Sequence, residues 1–475
     1  MRENKNVATK LAHWREKAKC RGKMIHYQNR KILDLEQSRS TWKKKYYEEK
    51  AARHRLEKSL GSKPKENKTL VSNHSYSAEL IELCIGIRSA GGCSYRGCVK
   101  ILQTLLLLLN LEFDIPSFSS IRNWEMKLGY YELAQSSAAS EQWALIIDES
   151  ISIGSQKLLL LLGVNLNQYT FNQALGLSDV RVLDIRLNKS WKAPDISGVI
   201  SDVIARNYQL KYCCCDNGNN LCNSLYISGL EHIEDCGHAL GNWLEKTYAD
   251  NQQFIDFCNA STMMKKQLIL SEYAEYIPPK QRTKGRFLNI SAIVKWANKL
   301  LCLAQQYEKS GAEPKAFEKI KWIISYQEFI KKLTAEQQLI NQVNKVLKNN
   351  GLSNGTVLEC TQYIESSEVE SSLKEFMLDY LKRTRAKLPG METIICSSDI
   401  IESIFGLFKY NHQKSPCGAI TESCLSIASY GKKTETEGIK NAMEQVTIVD
   451  LKRWRADNLS ITIQQKRKKL FKNTS

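Results

Sequence analysis

Asp148 closes the apolar run WALII, Asp216 closes LKYCCC, and Glu402 lies in IICSSDIIESIFGLFKYN, a stretch with helical periodicity. An acid at the end of an apolar strand is either a turn residue or a charge held at the rim of a sheet for a purpose. Two acids on adjacent strand ends and a third on a helix can converge on one point. Carboxylate oxygens are the ligands that hard cations such as Mg²⁺ select, and Mg²⁺ keeps several of its waters. Two such ions roughly 3.5–4 Å apart clamp the attacking and leaving oxygens of an in-line phosphoryl transfer. The chemistry implied is metal-dependent phosphoryl transfer, with Asp148, Asp216 and Glu402 as the ligands. Lys409 follows Glu402 by seven residues, about two helical turns, and shares its face, where a cation can hold a phosphate. Asp399 and Glu392 compete with Glu402 for the third place. Taken singly, each acid has a plainer reading: a turn residue at Asp148, an Asx-turn at Asp216-Asn-Gly, a solvated helix acid at Glu402.

The elements that must position these acids are legible as runs. WALIID, KLLLLLGV (157–164) and VRVLDIRL (180–187) read as three strands. A helix opens at Pro194 and a short strand, LKYCCC, follows it. Three strands in an antiparallel meander, with the fourth parallel to the first, place Asp148 and Asp216 side by side. Residues 237–397 read as largely helical, with Trp243, Trp296 and Trp322 at core spacing and a basic loop, PPKQRTKGR, at 278–286. Ser397 or Ser398 then caps the helix of Glu402. Ile400, Ile401, Ile404, Phe405 and Phe408 form its inward face, which leaves Glu402 free.

Residues 11–60 place Leu11, Trp14, Ala18, Ile25, Ile32, Leu35, Trp42, Tyr46, Leu56 and Leu60 on one heptad frame. That predicts an amphipathic helix or coiled coil with a basic outer face, imperfect at Arg21, Gln28 and Arg39. GSKPKENK at 61–68 has the composition of a linker. Three short helices follow over 77–129, the third capped by Ser117 and stopped near Gly129. In this third helix Ser119, Ser120, Arg122, Asn123 and Lys127 fall on one face and Ile121, Trp124 and Leu128 on another. A helix-turn-helix recognition helix has that pattern, and the expectation is that this face meets DNA.

The formal net charge of +18 sits at the two ends. Residues 1–70 hold 21 Lys and Arg against 8 Asp and Glu, and residues 452–475 hold 8 against 1. The stretch between is nearly neutral. Basic ends suit a polyanion, because each cation near a phosphate releases counterions. The longest apolar runs, LLLLL at 105–109 and 158–162, are too short to span a membrane. The polar start MRENKNVATK lacks a signal-peptide core, so an intracellular protein is expected. The 15 cysteines form no CxxC pair, and Cys93 and Cys98 lack partners for a metal, so reduced thiols packed as core filler are expected.

The spacing of Asp148, Asp216 and Glu402, the strand order around them and the long helical insertion before the last acid resemble the DDE transposases. HIEDCGHALGNWLEK at 232–246 adds Asp235-x-x-His238, which resembles the C/D-x-x-H signature of the Mutator-like and hAT-type groups. The basic helix and helix-turn-helix resemble the DNA-end-binding part of bacterial insertion-sequence transposases. No N-terminal zinc finger of the kind many hAT-type proteins carry is present in the sequence.

This resemblance implies an α/β RNase H-like mixed-sheet catalytic domain with a large helical insertion, preceded by a basic coiled coil and a helix-turn-helix. The corresponding divisions are coiled coil 1–60, linker 61–75, DNA-binding helices 76–135, core 140–240, insertion 241–393, core 394–450 and basic tail 451–475. The implied activity is cleavage and strand transfer of DNA at the ends of a mobile element. Asp148, Asp216 and Glu402 would bind two Mg²⁺ or Mn²⁺ ions, and His238 would act near the scissile phosphate, supported by Asp235. Trp243 and the loop residues Arg282, Lys284 and Arg286 would grip DNA. The implied partners are the terminal inverted repeats, target DNA and a second copy of the chain, with no membrane. The expected location is the cytoplasm or nucleoid of a bacterium, or the nucleus of a eukaryote. Two other functions fit the same residues: a retired transposase that only binds DNA, and another RNase H-like nuclease.

Overall fold

A computed structural model describes residues 14, 18, 21–22, 25, 28–50, 69–109, 114–153, 156–280, 287, 290–413, 420–431, 435–459, 466–467 and 470–471. The chain divides into two units, Met1–Lys68 and Thr69–Ser475. In the first, residues 28–50 are helical (α1), with Ile32, Leu35, Trp42 and Tyr46 exposed. The heptad positions before residue 14 and after residue 50, the linker at 61–68 and much of the basic tail lie outside the described residues.

The second unit is built on five strands: β1 Gln142–Ile153, β2 Gln156–Asn165, β3 Arg181–Asn188, β4 Gln209–Cys215 and β5 Glu231–Glu234. Their order is β3-β2-β1-β4-β5. β1–β2 and β2–β3 are antiparallel, while β1–β4 and β4–β5 are parallel. The meander and the parallel fourth strand are as the apolar runs predict. The fifth strand, EHIE, is only four residues long and had no counterpart in the sequence reading.

The unbroken leucine run has a simple cause. Side chains alternate across a strand, and here both faces are covered. Leu158, Leu160 and Leu162 join Ala144, Ile146, Cys214 and Ile233 in one core. Leu159 and Leu161 join Leu145, Ile147, Cys213 and Cys215 in the other. That second core is closed by Ile196, Ile200 and Val203 of α5 (Ala193–Ala205) and by Leu221 and Leu225 of α6 (Asn219–Ile227). Each buried leucine contributes about 1.5–3 kcal/mol, which is why strand register is firmly set.

The first core continues into the helical part. After α7 (Cys236–Tyr248) come α8 Gln252–Leu268, α9 Ser291–Ser310, α10 Pro314–Ile320, α11 Gln327–Asn350, α12 Asn354–Ser366 and α13 Ser371–Lys387. Phe254, Phe257 and Phe329 pack at their centre, ring to ring. The chain then returns to the sheet, where α14 (Asp399–Gln413) packs on β1. Among the described residues no helix is long and apolar enough to cross a membrane.

The N-terminal helices α2 (Ala78–Ala90), α3 (Tyr95–Leu109) and α4 (Phe118–Ala134) do not stand apart. α4 packs against a 3-10 segment at Glu422–Ser429, and α2 and α4 pack against α15 (Thr436–Gln445). α16 (Ile448–Asn458) also rests on α4. Gly129 marks how close this packing is, since a Cβ there would lie 2.0 Å from the Leu425 carbonyl oxygen.

This corrects the expectation of a groove-reading helix. Besides Ile121, Trp124 and Leu128, α4 buries Glu125, Met126, Lys127 and Glu132. Arg122 is held by Glu422 at 2.6 Å. The Lys127 ammonium donates to the Met443 carbonyl at 3.1 Å and is 7% exposed. Of the expected DNA face, Ser119 is exposed and Asn123 half-buried.

Candidate active site

Ladder register brings the first two acids together. Ile146 of β1 is level with Cys214 of β4, so Asp148 and Asp216 stand level two residues further on. Both have the parity of Ile146 and Cys214, on the sheet face toward α7 and α14. Asp216 and Asp235 directly follow β4 and β5, whereas the expectation that Asp148 ends its strand is corrected: it lies within β1, two residues past the last ladder pair with β4, and β1 runs on beside β2 to Ile153. Carboxyl ends of parallel strands are where open α/β sheets form their crevices.

The surroundings of Asp148 act on its carboxyl. Burial raises its carboxyl to about 7, the Asp216 charge adds to this, and Glu402 pushes in the same direction. The Glu149 N–H, which donates to Asp148 Oδ1 at 2.7 Å, and His238 oppose the rise. Asp216 Oδ1 accepts the Gly218 N–H at 3.0 Å, so an Asx-turn orients it at the start of α6. The turn reading and the site reading of Asp216 are therefore compatible.

Asp235 is fully buried and joins two elements. Its Oδ1 accepts the His238 N–H at 2.7 Å and caps α7. Its Oδ2 accepts the Ser398 N–H at 2.5 Å and the Ser398 hydroxyl at 2.9 Å, just before α14 begins. One carboxylate thus fixes the starts of the helices that carry His238 and Glu402. His238 Nε2 lies 3.9 Å from Glu402 Oε1, and Glu402 is 65% exposed. Ile400, Ile401, Ile404, Phe405 and Phe408 are buried beneath it, as the periodicity predicts. Lys409 is exposed two turns further along.

Of the rivals, Asp399 shares the first turn of α14 with Glu402. Asp399 is bonded to Lys348 of α11, and Glu392 lies exposed in the turn before α14. Trp243 packs on the core and against Phe376, with ring centroids 6.4 Å apart, so its indole is committed to packing rather than to a ligand. Arg282, Lys284 and Arg286 lie outside the described residues. In the sequence Asp235 stands out only as support for His238. Its tie to Ser398 spans 163 residues, and no local pattern announces such a pairing.

Among the described residues no three His, Cys, Asp or Glu side chains are drawn together tightly enough to hold a metal ion as they stand. The donor set nevertheless suits a hard divalent cation. It offers carboxylate oxygens, Mg²⁺ needs only one or two of them beside its waters, and burial together with the neighbouring Asp216 charge raises the Asp148 carboxyl.

The fold and site define a mixed five-stranded α/β protein with Asp148 and Asp216 level on neighbouring parallel strands and His238 and Glu402 near them. No protein-family model and no curated protein matches the chain. Among solved structures, a chain of the Drosophila P element transposase strand transfer complex aligns with it at a TM-score of 0.40 and 12% identity, covering 77% of this chain and 94% of that chain. A similarity that low carries no functional weight, and the site itself must carry the reading.

Proposed function

We propose that this protein is a DDE-type transposase, cutting DNA at the ends of a mobile element and joining the freed ends to target DNA. The observation that carries the proposal is the shared face and level of Asp148 and Asp216, with Glu402 and His238 close enough to act on the Asp148 carboxyl. A carboxyl raised by burial and by a neighbouring acid supports a functional site. Mg²⁺ or Mn²⁺ ions held by Asp148, Asp216 and Glu402 would activate a water or 3′-hydroxyl and neutralise charge on the phosphate.

The protein's own groups have distinct tasks. β1 and the end of β4 would hold Asp148 and Asp216 rigidly, and rigidity matters because an ångström of drift lowers the rate steeply. Asp235 sets the first turns of α7 and α14. His238, beside Glu402, would hydrogen-bond a phosphate oxygen, and Lys409 would offer a cation to the backbone further along. The basic termini supply sequence-independent attraction to DNA. Strand transfer needs two ends held together, and the exposed apolar positions of α1 suit pairing with a second copy.

The test is nicking of duplexes that carry the inverted repeats flanking the gene, with Mg²⁺. Wild-type protein should nick at the repeat ends, and Asp216→Asn should not. Retained nicking in that variant sinks the assignment. Deleting residues 1–60 should abolish self-association in sedimentation; an unchanged dimer would remove that role from α1.

A further inference from the structure

The helix that carries Glu402 is held at both ends by a buried charge of the sign its dipole favours. At its start stands the Asp235 carboxylate, fully buried, bonded to Ser398. Near its end stands Arg88 of α2, 6% exposed, whose Nη1 donates to Asn411 Oδ1 at 3.2 Å. Anions are stabilising at helix N-termini and cations at C-termini.

Arg88 is itself over-determined. Its guanidinium lies 4.7 Å from the centre of the Tyr95 ring on α3. Its Nε is 3.6 Å from Glu125 Oε2 on α4, and Glu125 is 1% exposed. The Tyr95 hydroxyl donates to the same Glu125 oxygen at 2.5 Å. Beyond Arg88, Asn411 Nδ2 donates to the Tyr430 hydroxyl at 3.3 Å, and Tyr430 contacts Ser426 at 3.1 Å. All three N-terminal helices therefore converge on one guanidinium, which grips the last turn of α14.

We infer that Arg88 is a positioning residue for Glu402, acting through Asn411, so that α2–α4 form part of the catalytic unit rather than a detachable DNA-binding domain. A helix with Ile404, Phe405 and Phe408 packed between its ends moves as a rod. Glu402 lies nine residues from Asn411, or about 13 Å along the axis. A shift at Asn411 is transmitted along the packed rod to Glu402, whose own end is held by Ser398 and by the Asp399–Lys348 bond. The assignment of Glu402 as a site residue is taken from the proposed function; the mechanical link is independent of it.

The experiment is hydrogen exchange on the full chain, without DNA, comparing Asn411→Leu, Asn411→Asp and wild type. Asn411→Leu removes the link and leaves the Arg88–Glu125–Tyr95 cluster in place. Exchange in the first turns of α14, residues 400–405, should quicken about tenfold, the scale of losing one hydrogen bond to a charged group. Asn411→Asp keeps an acceptor for Arg88 and should exchange like wild type. The β1 and β4 amides should not change in either variant. Unchanged exchange at 400–405, or a change confined to the last turn, overturns the inference. With nicking of repeat ends as readout, Asn411→Leu should lower kcat, leave KM for DNA as it was, and be rescued by Asn411→Asp. If wild type itself never nicks, the transposase reading fails and the exchange result still decides the link.

Discussion

The Asp148 site and the N-terminal helix cluster both bury charge, and they balance it differently. In the cluster two acids have cations: Glu125 meets Arg88, and Glu422 meets Arg122 and Arg455. Burial pushes Glu125 up while Arg88 and the Tyr95 hydroxyl pull it back, and hydrogen bonding and charge from Arg122 hold Glu422 low. At the site burial raises Asp148 and the Asp216 and Glu402 charges add to it, while the Glu149 N–H and His238 oppose the rise. Paired charges are what a scaffold keeps, since an unpaired one costs stability without return. A site that tolerates like charges is configured for a ligand that brings the missing positive charge. The comparison separates structure from site on electrostatic grounds alone.

The largest expected effect lies at the Asp148 site. Asp216→Asn should reduce Mg²⁺-dependent nicking on the order of 10³-fold, the scale of losing one preorganised electrostatic group, while thermal stability without metal holds or rises. A large fall in stability instead would place Asp216 among the scaffold charges and erase the contrast. On the cluster side, Arg88→Met should cost about 3–5 kcal/mol, because Glu125 is left buried without a counter-charge. Denaturant midpoints measure this directly. A cost under about 1 kcal/mol, as for an exposed ion pair, would mean that the cluster is wetter than its burial states.

A pH series sharpens the same contrast. Asp148 has a folded-state value of about 7, above its ordinary carboxylate value, so the folded state binds its proton more tightly than the unfolded chain does. Stability should therefore fall as pH rises from about 4 to 7, by roughly 2–4 kcal/mol from this group, and level off above. In EDTA, Asp148→Asn should remove most of that slope and be the more stable protein at pH 8. Adding Mg²⁺ to wild type at pH 8 should restore stability by mass action. A wild-type profile parallel to that of Asp148→Asn would show that the site's charges do not oppose one another.

How much of this was legible follows from where the partners lie. WALIID, KLLLLLGV and LKYCCC could be read because a strand buried on both faces needs an unbroken apolar run, and its period needs no distant partner. The β5 strand escaped because HIE offers too few residues for any periodicity. The inward face of α14 was legible at Ile400, Ile404 and Phe408 because helical spacing is local. The tie from Asp235 to Ser398 was not, and neither was the one from Arg88 to Asn411, since their members are 163 and 323 residues apart. The α4 helix misled for the same reason. Arg122 and Lys127 read as an exposed basic face, but their partners, Glu422 and the Met443 carbonyl, lie some 300 residues downstream.

That last case yields the smallest expected effect and the most direct check on the corrected helix. Lys127 has its ammonium against the Met443 carbonyl, and burial lowers its pKa. Lys127→Met keeps the aliphatic volume and removes a desolvated charge, so stability should change by less than about 1.5 kcal/mol, as for a volume-conserving exchange. A buried ammonium releases no counterion from DNA. The dependence of binding on salt should then have the same slope in Lys127→Met as in wild type. Lys409, exposed on α14, provides the contrast: Lys409→Gln should reduce the slope by about one if it meets a phosphate. A loss of slope in Lys127→Met with none in Lys409→Gln would return α4 to the DNA and remove α14 from it.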